Sequence, residues 1–139
     1  SKFVKTNSMN TIFSVKFTVT EEAIDRLHHV NNAVYVQWME VVASKHWQFL
    51  TEQNSFPEYI WVVMKHEIDY KNQAFLGDEI IAKTWVGETK GVTSIRHIEF
   101  YKDETLLVAA KTIWAMLDAK TQKPGRIREK VLKVLGIID

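Results

Sequence analysis

The sequence predicts an α+β domain: an antiparallel sheet of about five strands covered by one long helix, with a short C-terminal helix. Three observations carry this. Apolar and polar residues alternate with period two near the start and again through the second half of the chain. Between these stretches lies a mostly apolar run whose polar residues recur every three or four positions. The later strands are joined by turns too short for a parallel crossover, so neighbours pair antiparallel.

The elements follow in order. From Thr11 to Thr20, Phe13, Val15, Phe17 and Val19 share one face, and Ser14, Lys16, Thr18 and Thr20 the other, as in a half-buried strand. Glu21 to Asn31 is polar and reads as a connection. Asn32 to about Thr51 is the long helix, with Asn31 as N-cap. Its polar residues Gln37, Glu40, Ser44, Gln48 and Thr51 form a narrow stripe, so most of its surface is expected to be covered. After Pro57, Ile60, Val62, Met64, His66, Ile68 and Tyr70 are expected on one face of a strand. Gly77-Asp78 marks a turn before a strand from Glu79 to Gly87. Lys90-Gly91 is a hairpin turn into Val92 to Tyr101. Leu106 to Leu117 is apolar on nearly both faces and is expected to be central. A loop from Asp118 to Gly125 leads to a helix over Arg126 to Leu135, which ends at Gly136.

Size and composition narrow the function classes. The 139 residues fit a single domain, 1–139, with a polar N-terminal segment, 1–10, expected to be flexible; Met9 is a candidate start. There is no cysteine, which excludes disulfides, thiolate metal sites and a cysteine nucleophile. A formal net charge of +1 gives no global field for nucleic acid. No apolar run reaches the length of a membrane span and no signal-peptide pattern opens the chain, so no membrane partner and a cytoplasmic location are expected. Neither HExxH, GxGxxG nor a P-loop occurs, so no metal and no separate cofactor are expected.

The densest chemistry is Asp25-Arg26-Leu27-His28-His29-Val30-Asn31-Asn32, directly before the long helix. A helix N-terminus presents free N–H groups and a partial positive charge, suited to a developing oxyanion. A carboxylate a few residues earlier is placed to serve as nucleophile or general base. Those residue types suit acyl transfer at a carbonyl carbon. The same residues also read as caps and turn formers with solvated histidines. The residues alone leave both readings open.

The pattern Asp25-x-x-x-His29-Val30-Asn31-Asn32-x-x-Tyr35-x-x-Trp38-x-Glu40 resembles the signature of the hotdog-fold acyl-CoA thioesterases, the 4-hydroxybenzoyl-CoA thioesterase-like family near the acyl–acyl-carrier-protein thioesterases. The likeness spans almost the whole chain, with Tyr70, Gly77-Asp78, Leu117-Asp118 and Lys123-Pro124 as weaker matches. It implies a hotdog fold, a sheet wrapped around one central helix. It also implies hydrolysis of an acyl-CoA to a carboxylic acid and free coenzyme A. Carried over, the catalytic carboxylate is Asp25, the backbone N–H of Asn32 polarises the thioester carbonyl, and His29 and Asn31 orient substrate, water or Asp25. The chain departs from similar proteins at three places: His28 stands where Gly is common, Ala23 where an Asp occurs, and Leu27 where the carrier-protein branch often has Asn. These departures favour acyl-CoA over acyl–acyl-carrier-protein as substrate. A non-catalytic acyl-CoA sensor on the same fold is the reading from a different class.

Further candidates for substrate binding are Tyr35 and Glu40 on the helix, the alternative for Glu40 being a structural hydrogen bond, and His66, whose alternative is a hydrogen-bonded core histidine. Arg96 and Arg126 are candidates for the coenzyme A phosphates, their alternative being solvated surface charge. A single copy would leave sheet edges open, so a homodimer or homotetramer is expected.

Overall fold

The computed structural model describes residues 12–139. The expectations placed on residues 1–10, and the predicted start of the first strand at Thr11, lie outside them. The elements are β1 (Phe13–Thr18), a single 3-10 turn (Glu21–Ala23), α1 (Asn32–Leu50), β2 (Tyr59–Tyr70), β3 (Glu79–Lys90), β4 (Thr93–Lys102), β5 (Thr105–Asp118) and α2 (Glu129–Val134). The strands form one antiparallel sheet in the order β1-β3-β4-β5-β2. This is the predicted α+β architecture, a five-stranded sheet with one long helix and a short C-terminal helix. β2 and β1 are the edges.

Alternation decides which side chains face α1. Ile80, Ala82, Thr84 and Val86 of β3 and Ser94, Arg96, Ile98 and Phe100 of β4 are all buried. They are in register with one another and with Val108, Ala110, Thr112 and Trp114 of β5. At one end of this face, Phe17, Tyr35, Trp38, Met39 and Phe100 join the larger core cluster. At the other end, Ile127, Val131 and Leu135 bring α2 onto Val86 and Met116. Their i, i+4, i+8 spacing makes one stripe, which docks the tail on its own sheet. α2 itself is shorter than predicted, starting at Glu129 rather than Arg126. It ends where Gly136 takes φ 78°, and the N–H groups of Gly136 and Ile137 donate to the carbonyls of Lys133 and Leu132.

Two expectations are corrected. The first concerns β2, where the register shifts between Val63 and Lys65. The bulge at Met64 reverses the alternation, so Trp61 and Val63, rather than Ile60 and Val62, share the inner face with His66, Ile68 and Tyr70. The second concerns α1. Only Tyr35, Met39, Val42, Ala43 and His46 are buried, a single stripe, while Val41 is 40% and Phe49 55% exposed. Within one chain the sheet covers one side of the helix and leaves the outer side open.

Candidate active site

The segment before α1 is a small closed loop built by its own backbone. Asp25 and Val30 flank it: the Asp25 N–H donates to the His29 carbonyl, the Val30 N–H to Ala74, and the Asn31 N–H to Ala23. Ile24 and Val30 form an isolated antiparallel bridge at its base. Inside the loop His28 adopts φ 69°, the left-handed region where glycine is at ease and a side chain is not. That is the position where the sequence resemblance leads one to expect glycine.

This loop brings Asp25 and His29 together. One carboxylate oxygen of Asp25 accepts from the Leu27 N–H at 2.8 Å. The other lies 3.6 Å from Nδ1 of His29, an ion-pair distance when the imidazole is protonated but too long for a hydrogen bond. The same Nδ1 lies 3.3 Å from the Val30 carbonyl. The Asp25 and His29 side chains are 24% and 18% exposed, so the carboxylate is held yet reachable.

Asn31 caps α1, its side-chain oxygen accepting from the Ala33 N–H at 2.9 Å. The carboxamide oxygen expected to orient substrate is therefore already engaged. Asn32 opens the helix, and its N–H has no acceptor among the described residues. Its carbonyl is approached by the Tyr70 hydroxyl at 3.3 Å. A partly exposed carboxylate and an unused N–H at a positive helix end thus stand on one short loop.

The other expected residues are scattered. Tyr35 is a core residue at 2% exposure, packed edge-on against Trp38, Tyr70 and Phe100. Its hydroxyl is buried without a partner, and burial pushes its pKa up to about 12. His66 is half-buried, with Nδ1 2.8 Å from the Thr112 hydroxyl, as for a hydrogen-bonded core histidine. Arg126 is exposed and lies before α2. Arg96 overturns the expectation of a solvated charge. It is buried at 7% exposure on the inner face of β4.

Sequence reasoning missed what surrounds Arg96. Its Nη1 donates to Nδ1 of His46 at 2.7 Å and to the Thr84 hydroxyl at 3.0 Å. His46, 4% exposed, stacks on Phe13. Beside this pair is a cavity of about 480 Å³ between α1 and the sheet, into which Trp47, Trp61 and Trp114 contribute walls and Glu40 and Ser44 a rim. Glu40 is exposed and lies at this rim rather than at the Asp25 loop. No group of three or more His, Asp or Glu residues is placed to hold a metal among the described residues. No helix there is long and apolar enough to cross a membrane.

Comparison with known proteins bears on this geometry. Among curated proteins, an acyl-[acyl-carrier-protein] hydrolase of the chloroplast of Cuphea viscosissima is 32% identical over 76 residues, 53% of this chain. The match covers 18% of that longer protein, so the chain spans a minor part of the relative's length. A probable thioesterase from Bartonella henselae superposes with a TM-score of 0.72 at 24% identity, covering 86% of this chain and 100% of that one. The 1,4-dihydroxy-2-naphthoyl-CoA thioesterase of Synechocystis gives 0.74 at 15% identity, over 90% and 96% of the two chains. SAV2348 of Staphylococcus aureus, solved in complex with CoA, gives 0.79 at 17% identity, over 92% and 84%. At these identities the three structures establish the shared hotdog fold. The family model of the thioesterase-like superfamily matches residues 19–135, from the end of β1 to α2, and the chain belongs to that superfamily.

Proposed function

We propose that this thioesterase hydrolyses acyl-CoA thioesters to a carboxylic acid and free coenzyme A, with Asp25 as nucleophile or general base. The observation that carries the reading is the pairing, on one loop, of the reachable Asp25 carboxylate with the unused N–H of Asn32 at the start of α1. A thioester needs little more. A thiol resembling Cys has a pKa near about 8.5, so the thiolate leaves without a strong general acid. Catalysis then rests on an activated oxygen and on stabilising the oxyanion, which a helix N-terminus does with N–H groups already in place.

In this reading the thioester carbonyl oxygen sits at the Asn32 N–H. Asp25 attacks the carbonyl carbon to give a mixed anhydride that water resolves, or it takes a proton from the attacking water. His29, beside the carboxylate, orients it. Coenzyme A is favoured as the carrier because SAV2348, of the same fold, was solved with CoA and the Synechocystis relative is named for a CoA thioester. The second reading, hydrolysis of acyl–acyl-carrier-protein, is favoured by the identity to the Cuphea hydrolase.

Release of free thiol from a panel of acyl-CoAs tests this. Asp25→Asn keeps the Leu27 N–H acceptor and removes the charge, and turnover is expected to fall at least about a hundredfold. Unchanged turnover in that variant removes the assignment. Tight binding of acyl-CoA by the wild type with no thiol released identifies the sensor instead. Thiol release from acyl-carrier protein alone, with acyl-CoA inert, selects the second reading.

A further inference from the structure

Arg96 is a buried cation without a counter-ion. None of the ion pairs among the described residues includes it. Its partners, His46 and Thr84, are neutral acceptors, and the Thr84 hydroxyl donates its own hydrogen bond to the His97 carbonyl. A guanidinium has five N–H donors, and these two bonds use only Nη1. Burying such a charge is costly unless it is paired. Burial lowers its pKa only to about 10, so it stays protonated at neutral pH.

Arg96 lines the cavity of about 480 Å³, a size ordinary for a small-molecule site. The lining has an uneven chemistry. Trp47, Tyr59, Trp61, Trp114 and Val86 supply apolar and aromatic surface. The indole N–H groups of Trp61 and Trp114 are buried without an acceptor. Indole and guanidinium nitrogens can only donate. Arg96 is thus the one cation in a lining whose other inner side chains are neutral. The acceptor-rich Glu40 stands at the exposed rim and makes no ion pair inward. The buried Ser94 hydroxyl is bonded to Thr89.

We propose that this cavity binds a carboxylate carried on an apolar body, with Arg96 as its counter-ion. The apolar body lies against the tryptophans and the carboxylate enters head first, past Glu40, to the free N–H groups of Arg96. Glu40 and Ser44 lie two to three turns along α1 from Asn32, about 12 to 18 Å at the helical rise. The site is thus set apart from the Asp25 loop. The carboxylate has two sources: the far end of a dicarboxylic acyl chain, or a free acid of the kind hydrolysis releases. Only this question of source rests on the thioesterase reading; binding is measured without turnover.

Three of the five tryptophans line the cavity, so indole fluorescence reports occupancy directly. Octanoate and octanamide share shape and differ in charge. Titration of the wild type is expected to show octanoate binding at least tenfold more tightly than octanamide. Arg96→Lys is expected to keep part of that preference, and Arg96→Met, with its fold checked by circular dichroism, to erase it. Equal binding of acid and amide overturns the proposal, as does the absence of any response to octanoate. Undiminished acid preference in folded Arg96→Met overturns it too. Turnover then assigns the source. A tenfold lower KM for hexadecanedioyl-CoA than for hexadecanoyl-CoA, a chain long enough to reach from the Asn32 N–H to the cavity, lost in Arg96→Met, places the carboxylate at the far end of the acyl chain. Inhibition by octanoate without that preference places a free acid in the site. If no thioester is hydrolysed, the functional reading fails while the fluorescence result stands on its own.

Discussion

Nη1 of Arg96 on β4 lies 2.7 Å from Nδ1 of His46 on α1, a charged hydrogen bond joining helix to sheet inside the fold. A guanidinium can only donate, so Nδ1 must accept, and His46 is held neutral. Burial, with Arg96 adding its repulsion, lowers the His46 pKa from 6.5 to about 4. Between those values the unfolded chain binds a proton that the native protein refuses. Stability therefore rises with pH across the window. The contribution is fully present above pH 6.5 and is lost as pH falls toward 4. At most it amounts to about 3 kcal/mol. Urea unfolding at several pH values is expected to show this slope, and His46→Gln, which keeps an acceptor that does not titrate, to flatten it. An unchanged slope in that variant means other groups carry the acid sensitivity.

His28 provides a second test, in the site loop. Its φ of 69° costs a side chain roughly 0.5–1 kcal/mol that glycine does not incur. His28→Gly is expected to stabilise the native protein by about that amount, read as a higher urea midpoint. A loss of stability would mean that the exposed His28 side chain makes contacts worth more than the strain.

Most of the architecture was legible because its signals are local. Alternation marked β1 and β2, turn residues bounded β3 and β4, a long apolar run marked β5, and the spacing of Gln37, Glu40, Ser44 and Gln48 marked α1. Asn31 was readable as a cap because capping depends on residues one or two positions apart. What could not be read depends on distant pairing. The Met64 bulge is visible only against β5, and with it the true inner face of β2. Arg96 was open to a better reading, since it alternates with Ser94, Ile98 and Phe100 and shares their buried face. Likewise His46 follows Met39 and Val42 on the buried stripe of the helix. Each looks ordinary alone; the partner 50 residues away gives it meaning. At the candidate site, the segment was legible as a polar cluster before a helix, whereas the closure of its loop through Ala74 and Ala23 was not.

Asn31 also yields a prediction. Its side chain accepts the Ala33 N–H, one of the donors a helix start leaves without intrahelical partners. Asn31→Ala removes that acceptor and is expected to cost about 1 kcal/mol. Asn31→Asp retains it and adds a favourable charge at the positive end of α1. In the proposed site the same charge lies next to the developing oxyanion, so Asn31→Asp is expected to be at least as stable as wild type but slower in thiol release. Equal slowing in both variants would point instead to the carboxamide N–H₂ as the group that matters.

The last prediction concerns the free edge of the sheet. β2 is twelve residues long and pairs only with β5, which leaves its other side without a strand partner among the described residues. Along it Ile60, Val63, Met64 and Tyr70 are exposed by 38, 36, 64 and 43%. A long edge carrying large apolar side chains is unstable against pairing with another strand, and a second copy offers the same edge in a self-complementary arrangement. Such a pairing would set the outer side of α1, with Val41, near its equivalent and cover the helix face left open in the single chain. Sedimentation is expected to show a dimer or a tetramer at micromolar concentration. A lysine at the bulge, Met64→Lys, places like charges close to the two-fold axis and is expected to shift the population toward monomer without lowering the unfolding midpoint of the monomer itself. A wild type that sediments as a stable monomer would mean that this edge is tolerated bare, and the twist that the bulge imposes on β2 would then be its protection.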